Sequence, residues 1–502
     1  MKKFNLFLIA CAVSFMGFAQ VADIDPGTFA PTADGLYEFQ NEWLLSSRVP
    51  LANWTVVAGS FTDGAQNRSM VMRDGILYFM NRATKSLDRM SVADGTKLES
   101  ILLDGHGLME GSAADWAFTS LATDHAGNII LFNLSLGVGD PNQAWVINTE
   151  NPANSHLLFK DYVRQMLIDE VSDDVAIIGG ATRLDMFAPF GNMLEDGFIL
   201  AAVSGQHHFV RWNVVGGVAT FDPLDDFWRI TSMTQPGMQS AVAAANFATM
   251  PSVTPINEEF FWFNFNSQAP LLMDMEGNVM QSFIDLPYAT SELQAYGYDG
   301  EGGTFFPAGP AALNNRFNAP QNLKEFELRG EIFMIVPYGN WTAANGGGTL
   351  VLIRFEDEER IITDATIMPW VFPSIGFGLT GSQPFISMGV EVDHMAGPDY
   401  GTATIAVFFP NNGVGVYTLK SFAPWGNVNV PGVEAETIDI FVRDNLVWTA
   451  NEVAEITVFN VLGQQVVSAI NTNRVEIPAN GIFVVRALTH EGQIATQKVI
   501  VR

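Results

Sequence analysis

The chain has 502 residues, 48% of them apolar and 12% aromatic, and sets 25 Lys and Arg against 54 Asp and Glu for a formal charge of −29. So much apolar material covers a large core and excludes a disordered chain, while the length exceeds one ordinary domain. The shortage of basic residues excludes a nucleic-acid partner, since phosphate contacts need clustered Lys and Arg.

The first segment, MKKFNLFLIACAVSFMGFAQ, has Lys2 and Lys3, an apolar run from Phe4 to Phe18, and the small residues Gly17 and Ala19 before Gln20. This is the pattern of a secretory leader over residues 1–19. A membrane anchor needs about 20 apolar residues, and this shorter run is followed by the polar VADIDPGTFAPT. Leu8, Ile9, Ala10 and Cys11 resemble a lipidation box, but too few apolar residues precede Cys11 and more follow it. Cys11 is the only cysteine, so cleavage leaves a mature protein with neither disulfide nor thiol chemistry. Residues 20–36 read as an N-terminal linker.

From 37 to 421 short apolar runs alternate with turn residues and rarely keep a helical period, which predicts an all-β domain. One module recurs: a turn with Gly or an acid, an apolar strand, a variable loop and a second apolar strand. Its copies begin at Arg73, His125, Glu195, Asn257, Arg329 and Gly401. They start about 50 to 70 residues apart, longer than regular propeller repeats, so the excess belongs to loops. Strands apolar on both faces suit blades packed face to face, and the expected fold is a β-propeller of six or seven blades. The segment from Trp43 to Phe61 is expected to add a strand to the last blade and close the ring. Two β-sandwiches built from the same hairpins are the competing architecture. Short helices are predicted at KDYVRQMLIDE from Lys160 and SAVAAANFATM from Ser240.

Residues 422–436, rich in Pro, Gly and Asn, read as a linker. Beyond it, 437–502 alternates cleanly through TIDIFVRD, LVWT, EITVFN, QQVVSA, RVEIP, GIFVVRAL and IATQKVIVR. Seven strands in so short a span predict a small Ig-like antiparallel β-sandwich. Asn460, Val461, Leu462 and Gly463 form one turn, with Gly463 free to take a left-handed conformation, and His490, Glu491 and Gly492 form another.

VFNVLGQQV, IPANGIFVVRA and the terminal QKVIVR together resemble the C-terminal sorting domain of Bacteroidetes proteins exported by the type IX secretion system. Ile456, Val458, Phe459, Asn460, Gly463, Val466, Pro478, Gly481, Phe483, Val485, Lys498, Val499 and Val501 occupy that family's motif positions. The expected Tyr-Pro-Asn-Pro segment is missing, and PGVEAETIDIF stands in its place. The resemblance covers only this tail. It implies a route: periplasm first, then an outer-membrane translocon as partner, and a sortase-like peptidase that cuts in the linker. The body would be secreted or attached at the outer-membrane cell surface. An Ig-like accessory domain is the alternative, since fold alone does not assign a role.

Chemistry in the body is less legible. Gly376, Gly378 and Gly381 match a dinucleotide fingerprint, but Pro384 follows and no helix opens there, so no nucleotide cofactor is expected. No G-x-S-x-G, H-E-x-x-H, Walker or EF-hand pattern occurs. His207 and His208 are adjacent on a predicted strand and point to opposite faces, a poor arrangement for one metal. His125, in DHAGN, reads as a turn residue. The acidic groups Asp173-Asp174, Asp225-Asp226 and Glu356-Asp357-Glu358-Glu359 hold enough oxygen ligands for calcium, and solvated turns explain them equally.

Two functions follow. In one, the propeller binds an extracellular ligand, a glycan or a protein, through aromatics such as Trp212, Trp228, Trp262 and Trp341, which blade cores would also claim. In the other it is a polysaccharide hydrolase or lyase with paired carboxylates drawn from Asp196, Glu258, Glu259 and Glu331.

Overall fold

A computed structural model describes residues 29–46, 67–112, 117–135, 139–171, 183–204, 208–229, 251–264, 270–282, 323–338, 349–355, 360, 367–372, 386–397, 399–410, 413–423, 440–443, 445–460, 465–479, 481–488 and 494–501. The expected leader at 1–19 lies outside them. So do the glycine segment at 376–381, the helix expected from Ser240, and most of the 422–436 connection. Two compact units divide the chain, Met1–Asn427 and Val428–Arg502.

After β1 (Tyr37–Ser46), six antiparallel sheets follow one another among the described residues of the first unit. Blade one is β2 (Asn67–Arg73), β3 (Ile76–Asn81), β4 (Ser86–Ser91) and β5 (Lys97–Leu102). Blade two is β6 (Ser120–Thr123), β7 (Ile129–Phe132), β8 (Asn142–Val146) and β9 (His156–Asp161). Blade three is β10 (Leu184–Gly191), β11 (Gly197–Val203) and β12 (His208–Val215), edged by β13 (Val218–Thr220) and β14 (Phe227–Arg229), which both pair with β12. Blade four is β15 (Ser252–Pro255), β16 (Phe260–Asn264), β17 (Leu271–Asp274) and β18 (Val279–Ser282). Blade five is β19 (Lys324–Leu328), β20 (Glu331–Tyr338), β21 (Thr349–Phe355) and β22 (Ile367–Phe372). Blade six is β23 (Ser387–Asp393), β24 (Gly401–Phe409) and β25 (Gly413–Ser421), with β1 as its fourth strand.

The first strands touch from blade one to blade four and from five to six, and β23 also lies against β2, which closes the succession into a ring. Thr254 Oγ1 donates to the Leu323 carbonyl at 3.0 Å and joins blade four to blade five. First strands that are mutual neighbours must be innermost, which is the architecture of a β-propeller. The sandwich alternative is thereby overturned. Each recurring module of the sequence is the central hairpin of one blade, buried on both faces: β11, for instance, is buried from Phe198 to Val203.

Closure rests on β1, which begins at Tyr37, earlier than the expected Trp43; residues 47–61 lie outside the described set. A register shift between Asn41 and Trp43 reverses which face its residues present. Before the bulge, Tyr37 and Phe39 join a core shared by blades five and six. After it, Trp43 and Leu45 pack against the core between blades six and one. One strand therefore staples the last blade to both neighbours.

The expected helix from Lys160 is present as α1 (Val163–Glu170), which buries Val163 and Leu167, four apart on one face.

The second unit corrects the expected seven-stranded sandwich. It is one five-stranded sheet: β26 (Ile440–Arg443), β27 (Leu446–Asn460), β28 (Gln465–Glu476), β29 (Gly481–Leu488) and β30 (Ile494–Val501). LVWT and EITVFN are one continuous strand, as are QQVVSA and RVEIP, because the β27–β28 ladder shifts register between Trp448 and Val453 without breaking. The first part of β27 pairs with β26 and the second with β29. The curled sheet brings β26 near β30 and encloses Val447, Ile456, Val458, Phe483, Val485, Val499 and Val501.

Candidate functional site

Strand order assigns the connections to two faces. Turns between first and second strands are tight, as at 74–75, 124–128 and 329–330, and they share one face. The first strands begin at the other face, as β19 does at Lys324. Long connections carried on a rigid frame are where binding residues concentrate.

At that second face Lys324 opens β19, the innermost strand of blade five. Its neighbours on the strand are committed elsewhere. Glu325 accepts from Trp262 Nε1 at 3.0 Å and pairs with Arg360 at 2.8 Å. Phe326 and Leu328 are buried in the core shared with blade six. Lys324 is half-buried, no carboxylate pairs with it among the described residues, and the surrounding protein pushes its pKa down from the ordinary value of 10.5. Lysine is rarely enclosed without a partner, because taking an ammonium from water costs free energy that an acid normally offsets.

His125 lies in the 124–128 turn of blade two. Its backbone N–H donates to the Gly191 carbonyl at 3.1 Å, and its ring meets Phe190 edge-on with centroids 4.5 Å apart. The imidazole keeps solvent access, yet its pKa lies below the usual 6.5, lowered first by desolvation and next by the positive charge of Lys324, against an opposing pull from Asp124. Asp124 is itself occupied, accepting from the Asn128 backbone, the Asn128 amide and the Met193 backbone, each at 2.8 Å. Ser120, which opens β6 on blade two, has a buried hydroxyl with no hydrogen-bond partner in the protein.

The aromatics expected at a ligand face are mostly blade core. Trp212 is fully buried, stacks on Phe159 with centroids 4.4 Å apart, and donates to Asp161 at 2.9 Å. Trp262 is fully buried against Phe355. Both sit in strands covered by neighbouring blades, which overturns their assignment as ligand platforms. Trp228 stays half-buried with an unpartnered indole N–H, and Trp341 lies outside the described residues.

The four candidate carboxylates lie in the tight first-to-second-strand turns, or directly after them, of three different blades. Asp196 accepts from the Gly216 backbone at 3.0 Å, and Glu331, first in β20, is held by Tyr37 and Arg354. Glu258 and Glu259 flank the start of β16. No acid–base pair emerges from them. His208 is buried and stacks on Phe227 with centroids 4.7 Å apart; His207 lies outside the described residues. Asp226 accepts from Asn213 and from the Asp222 backbone, closing its own loop. Asp173, Asp174 and residues 356–359 lie outside the described residues, among which no three acidic, His or Cys side chains converge to hold a metal.

In the second unit the motif positions alternate across the sheet. Ile456, Val458, Phe483, Val485, Val499 and Val501 are buried, Phe459, Asn460, Val466 and Gly481 are half-buried, and Pro478 is exposed. Lys498 pairs with Val484 across β29 and β30, and Gly463 lies outside the described residues.

No protein-family model matches the chain, and no curated protein matches it in sequence. Among solved structures it resembles a DUF4623 family protein from Bacteroides eggerthii, with 11% identity over 73% of this chain and 72% of that one at a TM-score of 0.48. It also resembles Trypanosoma rangeli sialidase, with 9% identity over 87% and 86% of the two chains at a TM-score of 0.31. At these values neither likeness bears on function.

Proposed function

We propose that this is an exported ligand-binding propeller. Its C-terminal unit serves as the type IX sorting signal, and its body binds an extracellular glycan or protein at the face where the innermost strands begin. The observation that carries the binding reading is the division between the two faces. The candidate carboxylates sit in or beside tight turns on one, spread over three blades, while Lys324, which has no carboxylate partner among the described residues, opens an innermost strand on the other. The export reading is supported by six motif residues, Ile456, Val458, Phe483, Val485, Val499 and Val501, which line one enclosed core in a unit of their own.

Expression in a Bacteroidetes host with a working type IX system tests the route. The full chain is expected at the surface or in the medium, and a chain ending at residue 427 is expected to stay in the periplasm. Normal delivery of the shortened chain would refute the sorting role. Binding of the exported protein to a glycan or protein array tests the propeller, and turnover of a polysaccharide by it would favour the hydrolase or lyase instead.

A further inference from the structure

Asp226 and Trp228 belong to the return at the outer edge of blade three and stay half-buried, unlike Trp212 and Trp262. Register places them. Trp228 of β14 lies across from Phe209 of β12, and the backbone N–H of Arg211 donates to the Asp226 carbonyl at 3.0 Å, so Arg211 stands across from Asp226. Residues two apart on a strand share a side. Phe209, Arg211 and Asn213 therefore project together toward blade four, whose Phe261 and Phe263 meet the Phe209 ring at centroid distances of 5.1 and 5.0 Å. Trp228 is on that side too, its ring 5.8 Å from that of Phe209. So is the Asp226 carboxylate, which accepts from the Asn213 amide at 2.8 Å and from the Asp222 backbone at 2.9 Å. The third strand of an antiparallel sheet starts where the first does, and β14 runs against β12. The group thus lies toward the face where the innermost strands begin.

Its donors are unmet. The Arg211 Nε–H and the Trp228 indole N–H are enclosed with no hydrogen-bond partner. The guanidinium lies over Phe198, 4.4 Å from the ring centroid, and pairs with no carboxylate among the described residues. Asp226 is the near acid, but its oxygens are turned to Asn213 and Asp222, with one bond each, which leaves lone pairs unused. Arg211, Asp226 and Trp228 all keep partial exposure, so the missing component can come from solvent.

We propose that this side of the β12–β14 pair is a subsite for a neutral carbohydrate, in which adjacent hydroxyl oxygens of one sugar accept from Arg211 and Trp228 and a hydroxyl proton is donated to Asp226. This deepens the ligand-binding reading above and rests on it. A hydroxyl both accepts and donates, so a diol is the complement of N–H donors set beside a carboxylate, and the indole offers an apolar surface to the C–H groups of a sugar. Asp222, Asp225 and Asp226 in the same return disfavour an acidic sugar or a phosphate.

The test places the full chain on an array of neutral oligosaccharides, acidic oligosaccharides and proteins, and titrates the strongest neutral binder by calorimetry. Saturable binding of at least one neutral oligosaccharide is expected. Arg211→Met is expected to weaken it about tenfold or more, and Trp228→Phe, which keeps an aromatic ring against Phe209, about threefold to tenfold. In the unsubstituted protein the indole N–H resonance that Trp228→Phe removes should shift as the sugar binds, a readout independent of how well either variant folds. Neutral binding that neither variant weakens, an unmoved indole resonance, or a preference for acidic sugars overturns the subsite. If proteins on the array bind and no neutral sugar does, the subsite falls while the ligand-binding reading stands; if nothing binds, both fall.

Discussion

The phenol of Tyr37 donates to the carboxylate of Glu331, lying 2.6 and 2.5 Å from its two oxygens across a sequence separation of 294 residues. Arg354 completes the group, donating to Tyr37 at 2.9 Å and to Glu331 at 3.3 Å. Tyr37 belongs to the strand that closes blade six, and Glu331 and Arg354 belong to blade five, so the cluster is a latch on the ring. Tyr37→Phe leaves the half-buried carboxylate with Arg354 but without its phenolic donor and should cost about 1–3 kcal/mol. Denaturant unfolding measures it, and an unchanged midpoint would remove the latch.

The same latch predicts an alkaline limit. Burial, followed by the hydrogen bond to Glu331, raises the Tyr37 pKa above the ordinary 10. The native state therefore holds its phenolic proton where the unfolded chain has lost it. Stability from this group is complete below pH 10 and declines as pH climbs from there toward the raised value. Tyr37→Phe should flatten that part of the profile, which thermal melts at a series of alkaline pH values would record.

His125 behaves in the opposite sense at mild acidity. Its native pKa lies below 6.5, so between that value and 6.5 the unfolded chain binds more protons and stability falls on acidification. NMR titration should place the imidazole below its usual value, and Lys324→Met should move it upward. No movement would mean that the charge of Lys324 does not reach the imidazole.

Between blades six and one, a methyl group added at Gly389 would stand 2.4 Å from Met72 Cβ and 3.0 Å from its backbone nitrogen. Backbone cannot yield as a side-chain tip can, so Gly389→Ala should overpack this seam at a cost of about 1–3 kcal/mol. A melting temperature equal to the parent's would contradict so close an approach.

Trp212→Phe keeps the stack on Phe159 but leaves Asp161, whose pKa burial already raises, without its indole donor. Stability should drop by about 1–3 kcal/mol while ligand affinity is unchanged. A selective loss of binding would return Trp212 to the ligand face.

Much of the architecture was legible. Six modules were visible because each is a central hairpin buried on both faces and leaves an unbroken apolar run; β16, FFWFN, is typical. First strands were faint for the converse reason: β6, SLAT, is four residues long and follows a long connection. The tail was readable to the residue in its alternation, as in GIFVVRAL, but its strand count was overestimated. A bend inside β27 looks locally like a gap between two strands, and only the partners on either side reveal continuity.

The sequence by itself determined the β character, the number of hairpins, the acidity, and the spacing of the tail's motif residues, because a period of two and the placement of turn residues are local properties of the chain. Ring closure decided the rest. It put Trp212 and Trp262 between blades and bound Glu331 to Tyr37. Proximity between residues hundreds of positions apart is created by packing six sheets around one axis, and no local pattern encodes which side chains then meet.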